Sequence, residues 1–498
     1  MPIVFYGGLV TPVSLTSYKA LPHALLAVSR ETGIIDWVED DVPAHTLQEV
    51  LAKHGLCQDP ETDLVELKAG EFIMPGLIDT HTHAPQVPNI GSGQQHELLD
   101  WLAEVTFPME ARFKDPVFAR ETYTTVVRRI VDCGTTTCCY YGTLHLGGTK
   151  ILADIVHASG QRAFVGKCNM DRHSPEYYVE PSPEVSVAAT RELISYIRSL
   201  TRDHKSALVQ PIVTPRFAIS CTPELLSSLG DLVKSDPSLA IQTHISENES
   251  EIKFTKSLFP PSVLPKEAKV ERTTYAGVYD AYRLLRENTI LAHAVHLEDD
   301  EIELIRKRKT GISHCPTSNF NLRSGCAKVG MLLDKGIKVG LGTDVSGGFS
   351  PSILTAIQHA SMCSKVVALM DPLSQTAPVG FTSRQLPVPT LLYLATLGGA
   401  SLCNLEDKIG SITPGKSFDA LLVSVRSDAG NPAIWGADWD ERVGVRGSGG
   451  EPGDEGGRGK SDTEELEGLL ERFLFCGDDR NIRRVYVQGK VIGGKEYR

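Results

Sequence analysis

Two histidines one residue apart, His81 and His83 in Asp79-Thr80-His81-Thr82-His83, close an apolar run. Side chains alternate along a strand, so both imidazoles share a face about 6.8 Å apart, within reach of one cation. Further along, His244 ends Gln242-Thr243-His244 and Asp344 ends Gly340-Leu341-Gly342-Thr343-Asp344. Each residue alone reads as a hydrogen-bonded strand-end side chain. Together, three imidazoles and a carboxylate make a nitrogen and oxygen donor set suited to Zn²⁺ or Fe²⁺, with room for water. Such an ion lowers the pKa of its water to about 7, so that a nearby base can take a proton and the water can attack an electrophilic carbon. Glu247, three residues past His244, is the candidate shuttle. Glu249 and Glu251 read as acids in the first turn of a helix. His293, ending Leu291-Ala292-His293, reads as a further ligand or, the favoured role, as a donor that orients the water and stabilises developing charge. His96, His145, His173, His296 and His314 have no such joint argument and read as loop or core residues.

These side chains are far apart in sequence, so the fold must gather them. Eight runs rich in β-branched residues follow one another: Phe72 to Asp79, Thr135 to Tyr141, Arg162 to Asn169, Val209 to Arg216, Leu239 to Ile245, Thr289 to His296, Thr310 to Ser318 and Lys338 to Val345. Amphipathic stretches of helical spacing lie between them, among them Val117 to Cys133, Ala188 to Thr201, Val270 to Asn288 and Glu298 to Lys309. Eight strand and helix units predict a (β/α)8 TIM-like barrel over residues 72–403, whose active site forms at the carboxyl ends of the strands. Residues 1–71 and 404–498 read as short strands and turns and are expected to pair as one small β-sandwich lobe. Residues 446–462 are Gly-rich and charged without an aliphatic residue, which predicts a disordered insertion.

Composition narrows the partners. The 498 residues carry 50 Lys and Arg against 62 Asp and Glu, a net charge of −12, which disfavours nucleic acid and anionic membrane and favours a small uncharged substrate. No run approaches the roughly 18 consecutive apolar residues of a membrane span, and residues 1–15 lack a basic stretch before an apolar one. The 11 cysteines include no C-x-x-C pair, so reduced thiols in a cytoplasmic protein are expected. The same absence removes the zinc class built on H-x-E and P-C-x-x-C.

With these residues assembled, the chain resembles the metal-dependent amidohydrolase superfamily over nearly its whole length. Pro75 to His83 and Thr343-Asp344 carry the superfamily pattern, and Ser313-His314-Cys315-Pro316-Thr317-Ser318-Asn319 that of its deaminase and chlorohydrolase branch. Trp101 with Thr106-Phe107-Pro108, the Gln161 to Lys167 run and Pro215-Arg216-Phe217 resemble the guanine-deaminating members. The resemblance implies one Zn²⁺ per subunit, with Fe²⁺ also suited, held by His81, His83, His244 and Asp344. It implies guanine as substrate, water adding at C2, proton transfer by Glu247 with His293 and Asp344 assisting, and a homodimer. It also places Gln86 and Arg216 on the purine edge, with Phe217 and Trp101 shaping the pocket. Physically, an Arg donor facing O6 would oppose adenine's amino group with a second donor. Taken as a plain strand-end residue, Arg216 would instead pair with a barrel carboxylate. Binuclear members use a Lys on the fourth strand, and Val209 to Arg216 holds none, so a single ion is expected. Other hydrolases on this template, acting on cytosine, adenosine-type or triazine substrates, would keep the metal residues and change Gln86 and Arg216. Against a non-catalytic scaffold, which would have lost its ligands, stands the retention of His81, His83, His244, Glu247 and Asp344 together.

Overall fold

The computed structural model describes residues 2–56, 63–201, 207–268, 272–370, 380–382, 385–435 and 461–497. Five strands from the first part of the chain, β1 (Pro2–Ser14), β2 (Ser17–Ser29), β3 (Ile35–Glu39), β4 (Asp63–Glu66) and β5 (Glu71–Pro75), belong to the lobe. The barrel strands follow: β6 (Leu77–His83), β7 (Thr135–Tyr141), β8 (Arg162–Gly166), the short β9 (Cys168–Asn169), β10 (Val209–Pro215), β11 (Ala240–Ile245), β12 (Thr289–His293), β13 (Gly311–His314) and β14 (Val339–Leu341). Then β15 (Ala420–Ser424), β16 (Ile482–Val487) and β17 (Lys490–Gly493) return to the lobe.

The barrel strands run in the order β6-β7-β8-β10-β11-β12-β13-β14, all parallel, with β9 on β10. The ends of that order meet at the site: Asp344 N donates to His81 O at 2.9 Å, His83 N to Val345 O at 3.2 Å, and Thr80 Oγ1 to Leu341 O at 2.8 Å. Helix starts follow a shared local rule. Asp115, Ser182 and Thr222 each precede a proline and accept a backbone N–H of the first turn of Pro116–Asp132, Pro183–Ser199 and Pro223–Ser235. The Pro183 start explains why that helix begins five residues before the expected Ala188.

The two chain ends do pair as one lobe. Its strands form one mixed sheet, β17-β16-β15-β5-β1-β2-β3 with β4 on β1. The expected sandwich takes the form of this sheet curled over its own core, where Phe5 stacks on Phe418 at 5.0 Å and Ile35 N reaches Lys416 O at 2.8 Å.

Four expected boundaries are corrected. The run Phe72 to Asp79 divides at Gly76: β5 pairs with β1 and β15, and only β6 enters the barrel. A Cβ on Gly76 would lie 2.1 Å from Thr136 Oγ1, so the junction needs glycine, while burial of every residue on both sides hides it from a hydropathy pattern. The run Thr310 to Ser318 ends as a strand at His314, because Pro316 opens the helix Pro316–Asn321. In Val270 to Asn288 the described helix is Tyr275–Ala281, capped by Thr274. The tail holds a 15-residue helix, Asp462–Cys476, where only strands and turns were expected; Ser461 and Glu464 form its capping box. Residues 446–460 of the expected insertion lie outside the described residues, and Ser461 and Asp462 belong to that helix start.

None of the ten described cysteines is in a disulfide. Among the described residues one helix, Ile353–Met370, is long and apolar enough by length and composition to cross a membrane, although Gln358, His359 and Lys365 interrupt it. Ile353, Leu354, Ala356, Ile357 and Ala360 on it are buried in the main hydrophobic core.

Candidate active site

His81 and His83 end β6 on one face as the alternation requires, their ring centroids 5.0 Å apart and their planes at 88°. His244 arrives from β11 and Asp344 from the loop after β14. One donor atom from each of the four lies within 4.8 Å of the others. His81 Nε2 is 3.0 Å and His83 Nε2 3.3 Å from Asp344 Oδ1, and His83 Nε2 is 3.1 Å from His244 Nε2. A tetrahedron with bonds of about 2 Å has edges of about 3.3 Å, so these separations are those of ligands around one small cation. His244 Nδ1 donates to Arg216 O at 2.6 Å, which turns the Nε2 lone pair inward toward His83 Nε2. Two facing imidazole nitrogens need a proton or a cation between them, and the donor set fits a divalent metal.

Electrostatics agree. Burial holds the imidazoles of His81 and His83 below their ordinary value, His83 at about 4. Burial, reinforced by the other imidazoles, holds His244 well below it. Burial opposes charge on Asp344, yet His81 and His83 prevail and hold its carboxyl well below the usual range. Neutral imidazole and anionic carboxylate are the forms that ligate a metal, and these directions favour both. A Cβ on Gly342 would sit 2.9 Å from His81 Cβ and 2.6 Å from Ser313 Oγ, so this floor tolerates only glycine.

Glu247 is 2% exposed, a buried acid at the site rather than a solvated one. Glu251 Oε2 accepts the backbone N–H of Glu247 at 2.8 Å and of Asn248 at 3.2 Å, so the capping box of helix Glu249–Leu258 fixes Glu247 just ahead of that helix. Ser324 Oγ donates to Glu247 Oε1 at 3.1 Å, leaving Oε2 3.4 Å from His293 Nε2. Burial, then Asp344 and Glu251, pushes the Glu247 carboxyl well above its ordinary value. His293 Nδ1 donates to Asn319 Oδ1 at 2.9 Å, and its Nε2 has no hydrogen-bond partner. Its other near neighbour is Asp344 Oδ2 at 3.8 Å. His293, Asp344 and Ser246 all adopt positive φ (76°, 46° and 47°), a strained backbone concentrated at these strand ends.

Beside this cluster a pocket is lined by His83, Gln86, Leu98, Trp101, Leu102, Arg216, Phe217, His244, Glu247, Glu251, Leu322 and Asp344. Every residue expected at the site lines it or touches a residue that does. Arg216 does pair with a carboxylate, but not one from a barrel strand. Its Nη1 and Nη2 grip Glu110 Oε2 and Oε1 at 2.6 and 3.1 Å, and Glu110 comes from the short helix Phe107–Ala111. Gln86 Nε2 also donates to Glu110, at 2.8 Å, and Tyr178 Oη donates to it at 2.6 Å. Gln86 Oε1 accepts Ser346 N at 3.1 Å.

The sequence reading omitted Glu110, Tyr178, Asn319, Ser324 and the role of Asp79. Asp79 accepts Thr343 Oγ1 at 2.6 Å and the N–H groups of Thr343 and His81, tying β6 to the strand end that carries Asp344. Glu110 left a trace: it lies three residues after Phe107 and three before Phe113, an acid on a buried helical stripe. A second, polar groove lies at the opposite end of the barrel, between Arg162, Gln210, Asn288 and Lys408, and holds none of these residues.

The amidohydrolase family model matches residues 72–492. The chain is 44% identical to a probable guanine deaminase of Schizosaccharomyces pombe, over 99% of this chain and 84% of that one. It is 39% identical to the guanine deaminase of Dictyostelium discoideum, over 98% of each. Among solved structures, guanine deaminase from C. acetobutylicum with bound guanine superposes with a TM-score of 0.78 at 32% identity, covering 99% of this chain and 100% of that one.

Proposed function

The chain belongs to the amidohydrolase family, and we propose that it catalyses the hydrolytic deamination of guanine to xanthine and ammonia, with Zn²⁺ as its ion. The observation carrying this reading is the junction, in one pocket, of a three-imidazole, one-carboxylate donor set with a buried Arg216 and Gln86. The relatives at 44% and 39% identity, both guanine deaminases by name, support the substrate.

A divalent cation on His81, His83, His244 and Asp344 would supply the Lewis acidity that brings a water's pKa to about 7. Arg216 and Gln86 bind the O6 and N1 edge of guanine, and Phe217 and Trp101 border the ring. That orientation turns C2 and its amino group toward Glu247. Glu247 takes a proton from the attacking water and delivers it to N3, then moves the second water proton to the departing amino group. The C2–O bond forms first, with the first carried proton kept on N3; the C2–N bond then breaks, ammonia leaves with the second water proton, and C2 keeps the oxygen as the carbonyl of xanthine. His293 donates only as an imidazolium, because its Nδ1 proton is committed to Asn319; in its neutral form Nε2 accepts. The proposal includes a cytoplasmic homodimer, its stoichiometry checked by sedimentation and its location by cell fractionation.

Ammonia release from a panel of guanine, adenine, cytosine and ammeline tests the substrate. Guanine is expected to give the highest kcat/KM; if it is the poorest of the four, the substrate assignment is wrong.

A further inference from the structure

The four polar contacts of Glu110 are more than a strand-end arginine needs. Its carboxylate is fully buried and takes two hydrogen bonds from Arg216, one from Gln86 and one from Tyr178. Both residues assigned to the purine edge therefore hang from one acid. Burial opposes charge on Glu110, but the Arg216 guanidinium overrides it and holds the carboxyl below its ordinary value. The pair leaves this side of the pocket, where Arg216 and Gln86 stand, with no net charge from the two groups, facing a neutral base.

Each contact also sets a direction. The bidentate grip fixes the guanidinium plane and with it the directions of the remaining N–H groups. Gln86 is spanned by Glu110 on its amide nitrogen and by Ser346 N on its oxygen, which decides which end is donor and which acceptor. Phe107, from the same short helix as Glu110, lies under the guanidinium at 5.1 Å.

We infer that Glu110, held by Tyr178, is a positioning residue for specificity: through Arg216 and Gln86 it sets the direction and charge of the donors that read the O6 edge of the purine. The inference rests on guanine being the substrate. Glu110 makes no hydrogen bond to the metal donors or to Glu247, so its loss should act on binding more than on turnover.

Steady-state kinetics of the holoenzyme, with metal content and Tm, for wild type, Glu110→Gln and Tyr178→Phe decide the matter. Glu110→Gln should raise the KM for guanine about 10-fold or more, change kcat less than about threefold and keep the metal. The inhibition constant of 2-aminopurine, which has the amino group but no O6, should move less than the KM for guanine, because the O6 acceptor these donors are set to meet is missing. Should Glu110→Gln not accumulate as folded protein, Tyr178→Phe should show the same split at about threefold in KM. An unchanged KM in the variant tested, or equal losses for guanine and 2-aminopurine, overturns the inference. Wild-type protein that makes no xanthine from guanine overturns instead the substrate reading on which it rests.

Discussion

The pocket has two walls built on different principles. On the reaction wall, His81, His83, His244, His293 and Asp344 stand at or just beyond the ends of barrel strands, and their backbones are locked by the ladder itself. On the recognition wall, Gln86, Trp101 and Glu110 come from short helical turns between β6 and the helix Pro116–Asp132, and only Arg216 and Phe217 follow a strand. The first wall concentrates unpaired lone pairs for an ion. The second neutralises its charge internally through Glu110 and Arg216. Chemistry is thus fixed by the barrel and substrate choice by an insertion, so the two should respond separately to substitution.

The largest separation is expected at Asp344. Asp344→Asn should lower metal content below one per chain and abolish measurable turnover, by metal analysis alongside the assay; a fully active variant would remove Asp344 from the reaction wall. Glu247→Gln should keep the metal and lose about 10²- to 10⁴-fold in kcat, while KM stays near wild type. Retained turnover would reassign the proton shuttle. Arg216→Ala should act on the other wall, raising KM for guanine and, by stranding a buried Glu110 charge, costing about 3–5 kcal/mol in denaturant melts. An unchanged KM would contradict its contact with substrate.

The ion pair also has a pH signature. The folded-state pKa of Glu110 is depressed, so its contribution to stability is complete above the unfolded value and is lost as pH falls through the folded one. The stability gap between wild type and Glu110→Gln should accordingly narrow below about pH 4, the range where carboxylates protonate. A gap that widens there would reverse the sign. The smallest effect is expected outside both walls: Asp115→Ala removes a helix cap and should cost about 1 kcal/mol with kcat and KM untouched. A kinetic change would show that the following helix transmits to the recognition wall.

The contrast also explains what the sequence revealed. Strand alternation and strand-end placement are strong local signals, and they suffice for His81, His83, His244 and Asp344. Glu110 meets Arg216 and Tyr178 only through tertiary packing, 106 and 68 positions away along the chain, and no short-range pattern marks such a meeting. The division of Phe72 to Asp79 at Gly76 was hidden because β5 is buried on both faces, like a barrel strand. The tail helix had its pattern in Leu466, Leu469, Leu470 and Phe473, and the Gly-rich stretch just before it masked the start that Ser461 caps.

The most direct test of the account is the titration of metal-free protein with Zn²⁺ while xanthine formation from guanine is followed by ultraviolet absorbance. Turnover should rise linearly and level off at one ion per chain. Full turnover in the metal-free protein, or none at one bound equivalent, would contradict it.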